Sequence, residues 1–409
     1  MFLIKLAVKN LIRHHVRTII TAGIIAFAIF FYILLDSLIL GMTDMSYKSI
    51  IDYQAGHMQI VNKEYWEDKD KLPLEHLIKP DSALIEKIIS AEGFKAYSPE
   101  LDIKAMLNNG MDELPVTVKA VRPDKFLDVY PIEDKFVEGS MCRAGEYKAV
   151  MGKELAELMK LEVGDYIILL FRDKNETYNT MDLEISGLIH TPNPNLNNNT
   201  VIVPSDIAGA ALSTDNAVSR IIVRLDNKNL AAETGKTLKS QTDNDLGVYI
   251  WSELDAVSVA GAKNMGNSLV LIIILLIAGI AIINTVILAA LERMEEIGMM
   301  KAMGLEEREI IFTFVMESTG IGLLGGIIGI ILGFFGALLL VNVGMDWSAM
   351  LNMDMTQYGI PVIGTLYGSW NPRTFIQVFL FGVIVSMLSS ILPAWWAAKK
   401  DPVKAIYHR

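Results

Sequence analysis

The sequence predicts an α-helical membrane protein of four transmembrane helices, with a mixed α/β extracytoplasmic domain inserted between the first and second. Three observations carry this. Lys263 and Glu292 bracket 28 consecutive uncharged residues, Glu317 and Asp346 bracket another 28, and Arg373 and Lys399 bracket 25. Each run exceeds the roughly 20 residues that cross a bilayer core. A fourth apolar run follows a cationic N-terminus, and about 220 residues of different character separate it from the other three. Composition agrees: apolar residues make up 52% and charged residues 20%, and mean hydropathy is +0.37. Charge is below the roughly 25% of ordinary soluble chains, and a soluble domain has no use for three such runs, which excludes a soluble enzyme.

Residues 1–17 carry Lys5, Lys9, Arg13 and Arg17 and no acid, which marks a basic cytoplasmic segment. The first transmembrane helix is predicted at 18–42. Its apolar run is too long for a signal-peptide core, and no clean small-x-small cleavage site follows, so an uncleaved anchor is expected. Helices are predicted at 267–291, 310–343 and 374–397. Four crossings return a tail (398–409) with Lys399, Lys400, Lys404 and Arg409 to the cytoplasm. That topology makes 292–309 a cytoplasmic connector, and 43–266 and the 344–373 loop extracytoplasmic.

The 43–266 insert holds 24 basic and 36 acidic side chains, an excess that argues against nucleic-acid binding, which needs a basic face. Short β-rich runs at Val116–Val121, Tyr166–Phe171, Leu183–Ile189, Thr200–Val203 and Arg220–Leu225 read as strands. Ser82–Glu92, with Asp81 as its cap, Lys153–Lys160 and Asn229–Thr242 read as helices. Thr191–Thr200, with two prolines and five asparagines, reads as a turn region. Two subdomains are expected. The single cysteine, Cys142, excludes an intrachain disulfide.

Catalytic constellations are wanting. Gly235-Lys236-Thr237 matches the end of a phosphate loop, but Leu230 stands where the earlier glycine must be. His14 and His15 are adjacent, so on a helix they diverge, and His57, His76 and His190 lack ligand spacing. No Gly-x-Ser-x-Gly elbow occurs. The insert's surplus carboxylates read as a solvated surface. No metal or cofactor is expected on this chain.

The 310–343 run is richer in signal. Gly322/Gly326, Gly325/Gly329 and Gly329/Gly333 form overlapping small-xxx-small pairs that let another helix approach closely. A subunit interface and packing within the chain are both open readings. Glu317 is an ionisable group inside an apolar helix, either functional or reaching toward the interface, and Asn284 could hydrogen-bond between helices. In the connector, Met294, Ile297 and Lys301 recur at helical spacing opposite Glu292, Glu295 and Glu296, and Gly304 can end the helix. With six acids against three bases, the connector suits a protein partner better than anionic headgroups.

These residues resemble the MacB/FtsX-type permeases of ABC transporters. The likeness rests on Glu292-Arg293, Glu296-Ile297-Gly298, Lys301-Ala302, Gly304, Ile310, Phe314, Glu317-Ser318 and the glycines from Gly322 to Gly333. It extends to the opening Leu6-Ala7-Val8-Lys9-Asn10-Leu11 and to the ending Pro393…Ala397-Ala398-Lys399-Lys400-Asp401-Pro402. Gly56-His57-Met58-Gln59-Ile60 and Tyr65-Trp66 resemble the lipoprotein-releasing (LolC/LolE-like) branch. Arg172–Thr180 resembles a plain hairpin tip, not the longer, proline-bearing hook with which that branch captures a soluble carrier.

The resemblance implies a non-catalytic permease in a bacterial inner membrane. A pair of ABC ATPase subunits would bind ATP and magnesium and dock on Glu292, Arg293, Glu295, Glu296, Ile297, Gly298, Lys301, Ala302 and Gly304. A second permease subunit would pair with the chain, and movement would pass mechanically to the periplasmic insert. The implied work is extraction of outer-membrane lipoproteins, with a periplasmic carrier and membrane lipids as further partners. Export of peptides, toxins or drugs, or activation of a cell-wall hydrolase, are the family's alternatives. The 344–373 loop, with Met345, Trp347, Met350, Met353 and Met355, is expected to border a lipid portal or to anchor in the interface.

Overall fold

The structure is a computed structural model that describes residues 2–292, 294–346, 349, 356 and 361–399. It begins with α1 (Phe2–Arg13) and α2 (His15–Ile50). Helical hydrogen bonds run on through the intervening His14, from its N–H to the Asn10 carbonyl and from the Thr18 N–H to its own carbonyl. From Phe2 onward the basic segment is thus itself helical. α2 also continues well past the expected end at 42.

The insert contributes β1 (Met58–Asn62), α3 (Lys63–Glu67), α4 (Ser82–Ile89), β2 (Phe94–Asn108), β3 (Glu113–Val121), α5 (Pro123–Val129), β4 (Phe136–Gly139) and β5 (Lys148–Gly152). It continues with α6 (Lys153–Met159), β6 (Tyr166–Arg172), β7 (Tyr178–Ile189), α7 (Pro194–Asn199), β8 (Thr200–Pro204), α8 (Ser205–Leu212), β9 (Arg220–Leu225), α9 (Ala231–Gln241) and β10 (Leu246–Ile250). Local chemistry explains several boundaries. The Asp81 carboxylate accepts from the Leu84 N–H at 2.7 Å and caps α4, which ends at Ile89, short of the expected Glu92. The stretch expected as a turn is mostly the short helix α7: Asn193 caps it, and Asn197 folds back to bond both the N–H and the carbonyl of Thr191.

All ten strands join one sheet in the order β10-β1-β9-β2-β3-β8-β5-β7-β4, with β6 pairing β2 and β7. Two subdomains were expected, yet the sheet is continuous. The cause is β2: its 15 residues reach β9, β3 and β6, so one strand serves both ends. Apolar clusters fill the layers between sheet and helices, one around Ile103, Val118, Met151 and Leu183, another around Ile60, Ile88, Val223 and Leu238. Burying them is the main drive to fold this domain.

The insert's carboxylates are not all solvated. Glu100 and Asp102 sit two apart on β2, on one face, fully or nearly fully buried. Lys119 of β3 reaches Glu100 at 2.7 Å, and Arg220 of β9 pairs with Asp102. Burial works against the Asp102 charge, but Arg220 and Lys119 hold its carboxyl below the usual range.

The remaining helices are α10 (Asp255–Leu291), α11 (Met294–Ala302), α12 (Glu307–Asn342) and α13 (Pro372–Ala398), with a small ribbon of β11 (Met345–Asp346) and β12 (Thr365–Leu366). Among the described residues four helices are long and apolar enough to cross a membrane: His15–Ala55, Gly266–Leu288, Glu307–Asn342 and Pro372–Trp396. The fold is a four-helix membrane protein with a mixed α/β domain between its first two spans. The chain forms two compact units: Met1–Asp44, Lys263–Asp346 and Thr365–Arg409 make one, Met45–Ala262 with Trp347–Gly364 the other.

Candidate functional site: the connector helix and its supports

α11 is nine residues long, and its anchoring face centres on Met300, which is buried with Ile310 and Phe314 of α12 and Ala394 and Ala398 of α13. Gly304 ends it. At φ +95° this residue occupies backbone space that side chains disfavour, and the N–H groups of Gly304 and Leu305 return to the carbonyls of Lys301 and Met300. α12 then starts with a reciprocal cap in which the Glu306 N–H donates to Glu309 at 3.0 Å.

Two charged residues of the connector are held inside the chain. Lys301 donates to the Ala398 carbonyl at 2.7 Å, near the end of α13, and contacts Glu307 at 3.1 Å. A cation at the carbonyl end of a helix is stabilised by the helix dipole. Glu296 meets His14 at 3.0 Å. One helix is therefore tied to the start of α12, the end of α13 and the junction of α1 and α2. Movement of α11 cannot leave those helices unaffected.

The outward side is different. Glu292, Met299, Ala302, Met303 and Gly304 are exposed, and Met303 is 73% accessible. Met299 and Met303, four apart, make a soft apolar contact surface beside acidic residues. Helical spacing in the sequence puts the apolar face on Met294 and Ile297 and does not single these two out. Their signal was present: two unbranched apolar residues at i and i+4 on a short, charged helix.

Inside the bundle, Glu317 is 3% exposed and lies 3.7 Å from Arg17 of α2. A carboxylate in an apolar helix needs a nearby cation, and the basic N-terminal segment supplies it. The glycines are packed within the chain. A Cβ on Gly325 would lie 2.6 Å from the Ala22 carbonyl, and one on Gly329 or Gly333 would strike Ile29 or Ile33 of α2. Gly322 and Gly326 face Ser386 and Phe379 of α13. The stripe therefore wedges α12 between α2 and α13, and packing within the chain accounts for these glycines. Asn284 is exposed on α10 and bonds no other helix among the described residues.

Two family models match this chain, one over the first span and most of the insert, the other over the last three spans. A MacB-like periplasmic core domain matches residues 18–241, and an FtsX-like permease C-terminal domain matches 268–402. The chain belongs to the MacB/FtsX-type ABC transporter permeases. This permease is 26% identical over 303 residues to an uncharacterized ABC transporter permease from Methanocaldococcus jannaschii, covering 72% of this chain and 69% of that one. It is 20% identical to the lipoprotein-releasing system transmembrane protein LolC of Xylella fastidiosa, covering 76% of each. A macrolide export ATP-binding/permease protein MacB of Bdellovibrio bacteriovorus is 29% identical over 132 residues, 32% of this chain and 17% of that one.

The other expected positions fall as follows. Glu295, Ile297 and Gly298 lie within α11. Arg293, Trp347, Met350, Met353, Met355 and the tail from Lys400 onward lie outside the described residues, and Met345 opens the β11–β12 ribbon. Gly235-Lys236-Thr237 is the middle of α9, with Gly235 against Ile250, so it forms no loop. Among the described residues no three His, Cys, Asp or Glu side chains gather as a metal site. In the permease, Arg172–Thr180 is a short hairpin: Arg172 pairs with Tyr178 across a five-residue turn closed by Asp173.

Proposed function

We propose that this permease couples ATP hydrolysis on separate ATPase subunits to extraction of lipoproteins from the membrane. The observation that carries the coupling half is the connector: α11 is tied to α12, α13 and the N-terminal helices, while Met299 and Met303 are open to a partner. A push on that surface reaches three helices at once. ATP and magnesium belong to the docked ATPases, and this chain supplies no catalytic group.

The lipoprotein half is supported by reach. LolC resembles this chain over three quarters of its length, whereas the cited MacB protein resembles it over about a third. Gly56-His57-Met58-Gln59-Ile60, the stretch that resembles the lipoprotein-releasing branch, leads into β1, with Met58 and Ile60 fully buried. Termini and connector are placed in the cytoplasm and the insert in the periplasm, because the N-terminal cations of 1–17 are unopposed by acid. A second permease, a lipoprotein and lipids complete the assembly, and the short 172–180 hairpin leaves carrier capture to another subunit. The insert's match to the MacB-like core favours, as a second reading, export of peptides, toxins or drugs.

Purification of the complex from its native membrane tests both halves. An ATPase and triacylated lipoproteins are expected with the wild-type chain, and Met299→Glu with Met303→Glu should lose the ATPase while the permease still inserts. Wild-type ATPase content in that variant would overturn the docking surface. Recovery of a peptide or drug exporter's adaptor in place of lipoproteins would move the cargo to the second reading.

A further inference from the structure

The insert contains a cavity of about 990 Å³ that plays no part in coupling. Its apolar floor is made by Tyr97, Pro99 and Leu101 of β2, Leu127 of α5, and Met141. Three prolines line it, Pro80, Pro99 and Pro123, and none has an N–H to offer. Charged side chains stand around this apolar floor.

Those side chains come in both kinds. Arg122 and Arg143 supply donors, and Asp124 and Asp206 supply acceptors. Arg122 is held extended by the proline that follows it, at φ −85° and ψ 109°. Arg143 follows the buried Cys142, and its own N–H is fixed by Glu146 at 3.1 Å. Among the described residues neither guanidinium pairs with a carboxylate, although two carboxylates line the same cavity. The four groups are held apart and left available.

The turn at 213–216 gives an independent sign of a ligand. Ser213, Asp215 and Asn216 all have positive φ, at 55°, 49° and 61°, backbone that non-glycine residues adopt at a cost and that collects at binding sites. Between them Thr214 is 1% exposed and lines the cavity, yet its hydroxyl has no hydrogen-bond partner. A buried hydroxyl left unpaired is unfavourable unless something else satisfies it.

We infer that this cavity binds an extended peptide segment. Every main-chain amide carries one donor and one acceptor. A peptide running over the apolar floor can thus give N–H groups to Asp124 and Asp206 and take donors from Arg122, Arg143 and Thr214. An anionic amphiphile would use the arginines and leave both aspartates facing its charge. The volume lies at the upper end of ligand pockets and accommodates a few residues.

The full chain in lipid nanodiscs, titrated with a dye-labelled pool of capped hexapeptides of Leu, Val, Ser, Thr and Gly, tests this, with empty nanodiscs as the background. Saturable binding is expected. Arg122→Ala with Arg143→Ala should weaken it tenfold or more, Asp124→Asn with Asp206→Asn comparably, and Thr214→Val about threefold. The four charged residues are exposed, so these variants keep the fold, and a circular-dichroism melt checks that they do. Absence of saturable binding would overturn the inference. So would binding that ignores the aspartates and is displaced by decyl phosphate, which would assign the cavity to anionic amphiphiles.

Discussion

His57 is fixed by a hydrogen bond that only its neutral form can accept. Its Nδ1 takes the Leu225 N–H at 3.1 Å, and burial, helped by the Arg224 charge, pushes its pKa down to about 4. The unfolded chain holds the extra proton below about pH 6.5, so stability is complete above that value and falls as pH drops toward 4. Denaturant midpoints for the insert should decline across that window, and His57→Gln, which still has an acceptor, should flatten the decline. A wild-type slope retained by His57→Gln would assign the pH dependence to other groups. Arg17 and Glu317 make a second residue-level case. Removing one member of a buried ion pair leaves an uncompensated charge and costs about 3–5 kcal/mol, more than replacing both with apolar groups. Arg17→Leu should therefore unfold more readily in mild detergent than Arg17→Leu with Glu317→Leu, and thermal aggregation measurements rank the two.

Glycine spacing on α12 gives the clearest test of helix packing. Gly325, Gly329 and Gly333 lie against α2 so closely that any side chain must displace backbone or a β-branched isoleucine. Gly23 on α2 has nothing within 4 Å of where its Cβ would be. Gly329→Leu should lower the melting temperature, by overpacking of about 1–3 kcal/mol, while Gly23→Leu should leave it near wild type. Equal melting of the two variants would show that α12 does not pack on α2. Spacing of this sort was readable in the sequence because small-xxx-small defines a helix face. Which helix would cover that face was not, since lipid, a second subunit and the chain's own helices present equally apolar surfaces. The same limit applied to α11. Its helicity and its glycine stop were legible locally, but the burial of Met300 and the exposure of Met299 and Met303 depend on where α12 and α13 return. Glu100 and Asp102 do not stand out from the other carboxylates in the sequence for a related reason: their partners lie 19 and 118 residues away, on β3 and β9.

Each strand of the large sheet lies between Met58 and Ile250, and so does each buried residue of its three apolar clusters except Tyr53. Nothing in that hydrogen-bond ladder calls on the membrane helices. A fragment spanning Gly56–Leu254 should therefore fold without a bilayer, as a monomer with a cooperative denaturant transition. The stacked rings of Trp66 and Tyr249, 3.9 Å apart, offer a near-ultraviolet signal for native packing. Cys142 offers a second probe, because burial pushes its thiol up to about 12, so at pH 7.5 a maleimide should react only as the fragment unfolds. Coincident loss of the aromatic signal and gain of thiol reactivity would identify the insert as an independent folding unit. A fragment that expands, binds hydrophobic dyes and exposes Cys142 in buffer would show that the domain needs residues 45–55 or the 347–364 segment. Autonomous folding has a mechanical consequence: a domain that holds its own shape can be moved by membrane helices as a lever without unfolding, as transmission of work from α11 requires.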